Sequence, residues 1–296
     1  MPELPEVQAL AEFLDARTSG HRVVAADVAA IAALKTFDPP VTALVGQEVR
    51  GVARNGKWLD LTAGPEGDQV HLLFHLSRGG WVRWSDQAPT TPVRPRMGGS
   101  SRGSALALRV RLDDGAGFDL TEAGTRKRLA VHVVRDPREV EQVATLGVDP
   151  LSDDFTPEAL AALMQERNQQ VKGLLRDQRA IAGIGNAYSD EILHVAKVSP
   201  FKLTRSFTPQ EVAALHDAVA TTLRDAVAAS SGKPAKELKD AKRAGMRVHG
   251  RTGEACPVCG DVVREVSFAD RSLQYCATCQ TGGQVLADRR MSKLLK

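Results

Sequence analysis

Two groups of residues in this chain have types and spacings that could do chemistry. Cys256 and Cys259 form one CxxC pair and Cys276 and Cys279 a second, with only residues 260–275 between them. Doubled pairs at that spacing are ligand geometry for one tetrahedral Zn²⁺, because a tight turn presents two thiolates to the metal and the facing pair closes the shell. Gly260, directly after the first pair, supplies the permissive backbone that such a turn needs. Four thiolates leave no open position, so the metal is expected to be structural. A redox pair or chance clustering is the competing reading.

The second group opens the chain, in "MPELPEV". Once Met1 is removed, as a small second residue should permit, Pro2 carries a secondary amine. The ordinary α-amino pKa of roughly 8 leaves part of it unprotonated near neutrality, ready to attack an aldehydic sugar carbon. Attack yields a protonated imine, which is an electron sink. Glu3 could protonate the opening sugar ring or shuttle the proton between steps. Taken alone, the same residues are also an ordinary helix lead-in.

Two further stretches carry weaker signals. Gly183, Gly185 and Asn186 permit a tight turn before an amphipathic segment, and amides at a helix N-terminus can cradle a phosphate, although such turns commonly just connect helices. From Lys233 to Arg251 the chain is dense in lysine and arginine and runs straight into the cysteine hairpin. That fits the lining of a nucleic-acid groove, with a solvated face as the alternative.

These groups need elements to hold them. With 296 residues, 43% hydrophobic and 25% charged, the chain can bury one large core or two ordinary ones, and two is the expectation. Val7, Leu10, Ala11 and Leu14 share a helical face that stops at Gly20. From His21 to Val134 short alternating strands follow, with Asp113-Asp114-Gly115 as a hairpin turn, which predicts a β-sandwich or barrel. Residues 85–104 are rich in Pro, Gly and Ser and read as a mobile loop. Beyond the connector the period becomes helical, and two helices open with Thr-Pro, at Thr156-Pro157 and Thr208-Pro209. The stretch between the cysteine pairs reads as a β-hairpin.

No run approaches the roughly 18 apolar residues of a membrane span, and the N-terminus lacks a signal-peptide pattern. The expected location is the cytoplasm, with no membrane partner. The net charge of +3 is mild, so attraction to nucleic acid must come from where the basic residues sit.

"MPELPEV", "NGKWL", "GIGNAYSDEIL" and "VHGRTGEACPVCG…DRSLQYCATCQ" stand in the order and spacing of the Fpg/Nei family, the formamidopyrimidine-DNA glycosylases and endonuclease VIII-like enzymes, and the chain resembles that family over almost its whole length. The resemblance implies an α+β multidomain protein: an N-terminal β-sandwich with one leading helix, then a helix-two-turn-helix domain with a β-hairpin zinc finger. The corresponding boundaries are 1–135 for the catalytic domain, 136–150 for a connector, 151–250 for the helical domain, 251–282 for the finger and 283–296 for a C-terminal extension. It implies a bifunctional DNA glycosylase and abasic-site lyase of base excision repair, bacterial in type and at work on nucleoid DNA as a monomer. Oxidised or ring-opened bases would leave through a Schiff base on Pro2, followed by β- and δ-elimination. The alternative is a binder of abasic or distorted DNA with little or no turnover. A sequence-specific zinc-finger regulator is a third reading, for which no recognition-helix pattern is present.

Residue by residue, the resemblance makes Pro2 the nucleophile, Glu3 the acid, Glu6 the second carboxylate of the site and Lys57 a phosphate contact that assists catalysis. Taken alone, Lys57 is an ordinary turn lysine after Asn-Gly. Lys172, Asn186, Arg271 and His75 would contact DNA, and one zinc would be held by Cys256, Cys259, Cys276 and Cys279. The chain also departs from the family. Arg78 in "HLSRGG" replaces the methionine that fills the gap left by a flipped base, and as a DNA-binding residue it could still occupy that void and pair with the orphaned base, at a higher desolvation cost. In "TEAGTRKRLA", Leu129 stands where a wedge phenylalanine is expected and Arg126 or Arg128 where the opposite base is read. The basic segment before the finger lacks the Gly- and aromatic-rich loop that closes over 8-oxoguanine, so that lesion is not carried over as the expected substrate.

Overall fold

The residues after Pro2 wind into α1 (Leu4–Thr18), whose buried residues include Val7, Leu10, Ala11 and Leu14, the set spaced for one helical face. Pro5 falls in the first turn, where a missing N–H has no partner to lose. Gly20 follows the helix at φ 83°, a left-handed conformation that glycine adopts without strain. In this computed structural model, residues 1–96, 105–124, 126–268 and 272–287 are described.

The strands of the first half are β1 (Val23–Val28), β2 (Val49–Asn55), β3 (Trp58–Ala63), β4 (Val70–His75), β5 (Gly80–Ser85), β6 (Leu106–Leu112), β7 (Gly117–Glu122) and β8 (Ala130–Val134). They form two four-stranded antiparallel sheets, ordered β1-β6-β7-β5 and β2-β3-β4-β8. Alternation along each strand turns Leu59, Leu61, Leu72 and Phe74 of one sheet and Leu108, Val110, Phe118 and Leu120 of the other into a shared core, which α1 joins through Leu10 and Leu14. The Phe74 and Phe118 rings meet there with centroids 6.2 Å apart. This is the sandwich. On the outer face of the second sheet, Trp58, Leu73 and Val134 pack with Val140, beside the short α2 (Glu141–Ala144).

The second half is helical: α3 (Pro157–Glu166), α4 (Val171–Arg176), α5 (Asn186–Val195), α6 (Pro209–Ser230) and α7 (Leu238–Gly245). Both Thr-Pro starts do what their chemistry suggests. Thr156 Oγ1 accepts the Ala159 N–H at 3.2 Å, and Thr208 and Glu211 exchange side-chain and backbone hydrogen bonds as a capping box. The finger follows as the antiparallel hairpin β9 (Val263–Ser267) and β10 (Ser272–Cys276), closed by α8 (Ala277–Thr281).

By contacts the chain divides into two units, Met1–Leu146 with Ser230–Lys239, and Gly147–Ala229 with Asp240–Lys296. Residues 230–239, which the sequence assigns to the helical domain, therefore pack with the first unit: Ala235 and Leu238 enter its core, and Trp81 Nε1–H donates to Ala235 O at 3.0 Å. Among the described residues, no helix is long and apolar enough to cross a membrane.

Candidate active site and metal centre

At the start of α1, the Glu3 side chain accepts the Glu6 backbone N–H while Glu6 Oε2 accepts the Glu3 N–H at 2.9 Å. This reciprocal capping box fixes two carboxylates directly behind Pro2. Glu3 and Glu6 are buried at 3% and 1% exposure, with their oxygens committed to the free amides of the helix N-terminus. Pro2 is itself buried, and Met1 before it is 48% exposed.

Lys57 sits in the β2–β3 hairpin, where Asn55 pairs with Trp58 and only Gly56 and Lys57 lie between. Gly56, at φ 57°, takes the first central position of a type II′ turn, which turns the hairpin with the twist of its strands. Lys57 is only 8% exposed, unlike a solvated turn lysine. Its charge is felt by His75, which pairs with Trp58 across β3 and β4 with ring centroids 5.0 Å apart. Burial first, and the Lys57 ammonium second, pull the His75 pKa down to about 4. His75 is thus neutral at physiological pH and can offer an N–H to an oxyanion without carrying charge of its own.

Arg78 is exposed at the tip of the turn that joins β4 to β5. The Gly80 N–H returns to Leu76 O at 2.8 Å, and Ser77 is left-handed at φ 53°. A Cβ on Gly80 would lie 2.2 Å from Leu76 O and one on Gly79 2.3 Å from Ala123 O, so both glycines are sterically required.

The loop after β7 packs on this turn, with the Ala123 N–H donated to Gly79 O at 2.9 Å. Glu122, 4% exposed, holds that loop from beneath: its Oε1 accepts the Arg128 N–H at 2.6 Å and the Leu129 N–H at 2.9 Å. Leu129 is thereby drawn into the sandwich core at 2% exposure, and the wedge role expected for it is corrected. Arg126 and Arg128 stay exposed, so this pair of loops presents guanidinium groups and no large apolar residue among the described ones.

In the second unit, Gly183 is left-handed at φ 92° and α5 begins at Asn186, as the turn signal requires. Not every amide of the turn faces outward, however. The Gly183 N–H donates to Gln178 Oε1 at 3.0 Å, and Gln178 Nε2 returns to Ile184 O at 2.8 Å, so the cradle is braced from inside. Asn186 Nδ2 donates to Ser272 O at 2.8 Å, tying the turn to β10, while its buried Oδ1 has no hydrogen-bond partner among the described residues. Lys172 lies beneath the turn instead of reaching outward. At 6% exposure its ammonium meets Asn186 O at 3.1 Å, Ser189 Oγ at 2.6 Å and Asp190 Oδ1 at 2.6 Å. These acceptors place the Lys172 ammonium in a polar network beneath the turn. Arg271 lies outside the described residues.

Asp190 and Glu191 escape a reading by sequence, because two acids on a helix normally mark its wet face. Here both are buried. Asp190 Oδ2 bonds His249 Nδ1 at 2.7 Å, and Glu191 accepts the N–H groups of Arg247, Val248 and His249 at 2.7, 3.0 and 2.8 Å. Burial pushes the Glu191 pKa up and those amides pull it back. Together the two carboxylates anchor the entrance to the finger.

The four cysteine sulfurs lie within 4.8 Å of one another, with Cys259 to Cys276 at 3.3 Å and Cys256 to Cys279 at 3.9 Å. Zinc–thiolate bonds of about 2.3 Å put sulfurs about 3.8 Å apart in a tetrahedron, so the donor set fits one Zn²⁺ with no ligand missing. The metal is structural.

The model of the Formamidopyrimidine-DNA glycosylase N-terminal domain matches residues 1–131, that of the Formamidopyrimidine-DNA glycosylase H2TH domain residues 146–236, and that of the Zinc finger found in FPG and IleRS residues 253–282. A formamidopyrimidine-DNA glycosylase of Roseiflexus sp. (strain RS-1) is 32% identical over 95% of this chain and 100% of its own length. An uncharacterized formamidopyrimidine-DNA glycosylase-like protein of Mycobacterium tuberculosis is 57% identical over 155 residues, 52% of this chain and 97% of that protein. Among solved structures, the Lactococcus lactis Fpg in complex with DNA containing an abasic site superposes with a TM-score of 0.80 at 23% identity, over 94% of this chain and 99% of that one.

Proposed function

Because the chain belongs to the formamidopyrimidine-DNA glycosylase (Fpg/Nei) family, we propose that it is a DNA glycosylase with abasic-site lyase activity, acting on oxidised or ring-opened bases in damaged DNA. The observation that carries this reading is the capping box at α1, which holds the Glu3 carboxyl group beside Pro2 and braces it with Glu6.

On this reading the Pro2 nitrogen, freed of Met1, attacks C1′ of the damaged nucleotide. The C1′–base bond breaks and the base leaves with its electron pair, taking up the proton that the attacking nitrogen sheds. Glu3 protonates the ring oxygen as the sugar opens, and the nitrogen lone pair forms the iminium. That iminium acidifies C2′, so loss of its proton expels the 3′-phosphate. A second proton loss, at C4′, expels the 5′-phosphate. Lys57 neutralises a neighbouring phosphate and neutral His75 donates a hydrogen bond to another. The lesion must be turned out of the stack, which costs least for a damaged or mispaired base. The guanidinium groups of Arg78, Arg126 and Arg128 then meet the distorted duplex. Residues 1–135 carry the chemistry, and residues 151–282 hold the backbone through the Asn186 turn and the finger. Zinc, when bound, only fixes the finger's fold, and no chemical step passes through it.

Strand cleavage of a duplex with one abasic site tests the proposal. Phosphates at both ends of the gap are expected from successive β- and δ-elimination. An intact strand under tight binding would instead make the chain a binder of abasic DNA.

A further inference from the structure

His194 sits on the last turn of α5, outside the four-cysteine motif, and is 2% exposed. Its Nε2 lies 3.2 Å from Cys256 Sγ, while its Nδ1 is buried and has no hydrogen-bond partner among the described residues. These two facts together fix the tautomer. A buried neutral imidazole carries one N–H, and a zinc-bound thiolate is an acceptor only. A proton on Nε2 meets the sulfur and leaves Nδ1 as a bare lone pair, whereas a proton on Nδ1 would orphan a buried donor and set two lone pairs against each other. We propose that His194 donates an Nε2–H···S hydrogen bond to the Cys256 thiolate, and so makes α5 part of the outer layer that retains the zinc.

Four thiolates around one Zn²⁺ leave two net negative charges at a site where Cys256 and Cys276 are buried and Cys259 is exposed. An N–H aimed at one sulfur offsets part of that charge and fixes the orientation of the ligand, as outer-layer partners of metal sites do. The rest of α5 and its exit supports the geometry. Glu191 holds residues 247–249, and Gln280, between the second cysteine pair and α8's end, accepts the Cys276 N–H at 2.9 Å while donating to Val198 O at 2.9 Å. His194 is the one of these contacts that reaches a ligand sulfur, so it is a positioning residue for the metal.

The test uses the full-length, zinc-loaded protein with a chromogenic chelator in excess. His194→Leu is expected to release zinc about 10- to 100-fold faster than wild type, and His194→Gln, which keeps an N–H at similar reach, to recover much of that loss. In cobalt-substituted protein the thiolate-to-cobalt charge-transfer band should shift in His194→Leu, a change that a packing defect alone would not produce. Release at the wild-type rate from His194→Leu, or no recovery by Gln, would overturn the proposal. If neither variant folds, ¹⁵N NMR of the wild-type imidazole decides: an Nε2–H tautomer supports the bond, and an Nδ1–H tautomer overturns it.

Discussion

Lys172 Nζ lies 2.6 Å from Asp190 Oδ1, and the two side chains are buried to 7% and 1% exposure. One ion pair thus stands under the turn whose surface would face a phosphate. Removing the cation leaves the buried Asp190 carboxylate with its contact to His249 Nδ1 at 2.7 Å. Lys172→Met is expected to destabilise the helical unit by about 3–5 kcal/mol, the usual cost of stranding half of a buried pair. Urea denaturation measures it. A loss of DNA affinity at unchanged stability would instead favour the DNA contact that the family resemblance implies for Lys172.

Glu3→Gln separates capping from chemistry. The amide oxygen can still accept the Glu6 N–H, and the buried Leu4, Leu10 and Leu14 of α1 contribute on the order of 1.5–3 kcal/mol each, more than any cap. The variant should therefore keep its thermal midpoint while losing about 10²- to 10⁴-fold in cleavage rate. Single-turnover kinetics beside a melting curve check both halves.

Acid should expose His75. Its pKa is about 4 in the folded chain, against 6.5 for the ordinary side chain, with burial the main cause and Lys57 the second. Between those values the unfolded chain binds a proton that the folded chain refuses. This group's contribution is therefore whole above pH 6.5, falls as the pH drops towards 4, and changes no further below. His132, lowered by burial and then by Lys35, adds to the same slope. His75→Gln should flatten the fall of the urea midpoint between pH 7 and pH 4, and an unchanged slope would place the acid sensitivity elsewhere.

Glu122→Ala removes the acceptor for the Arg128 and Leu129 amides. A cost of about 1–3 kcal/mol is expected, since the Leu129 amide is left buried. Weaker binding to an abasic duplex should accompany it as the arginine loop loosens. Glu122→Gln, still an acceptor, should retain most of both. Fluorescence anisotropy and urea titration on the same preparations distinguish loop positioning from general instability.

How much of this is legible in the sequence depends on what each residue interacts with. The cysteine pairs, α1's apolar face, the Thr-Pro caps and the Gly56 turn are local rules, and the structure follows them. Glu122 and Glu191 are not legible, because each carboxylate is committed to backbone amides and Glu191's lie near residue 248, a distance that no periodicity encodes. Leu129 misleads for a related reason: a hydrophobic residue beside arginines fits a wedge, and only the Glu122 carboxylate that holds its amide shows it turned into the core. The burial of Lys172 is not legible either, because its acceptors Ser189 and Asp190 arrive from the next helix.

The most direct test of the central claim is borohydride trapping on a duplex with one abasic site, using protein whose N-terminus mass spectrometry shows to begin at Pro2, beside Pro2→Gly. A covalent protein–DNA band that is lost in the variant is the expected result, because reduction fixes the imine on the Pro2 nitrogen. No band from the processed wild type, or an undiminished band from Pro2→Gly, would contradict the assignment of the chemistry to Pro2.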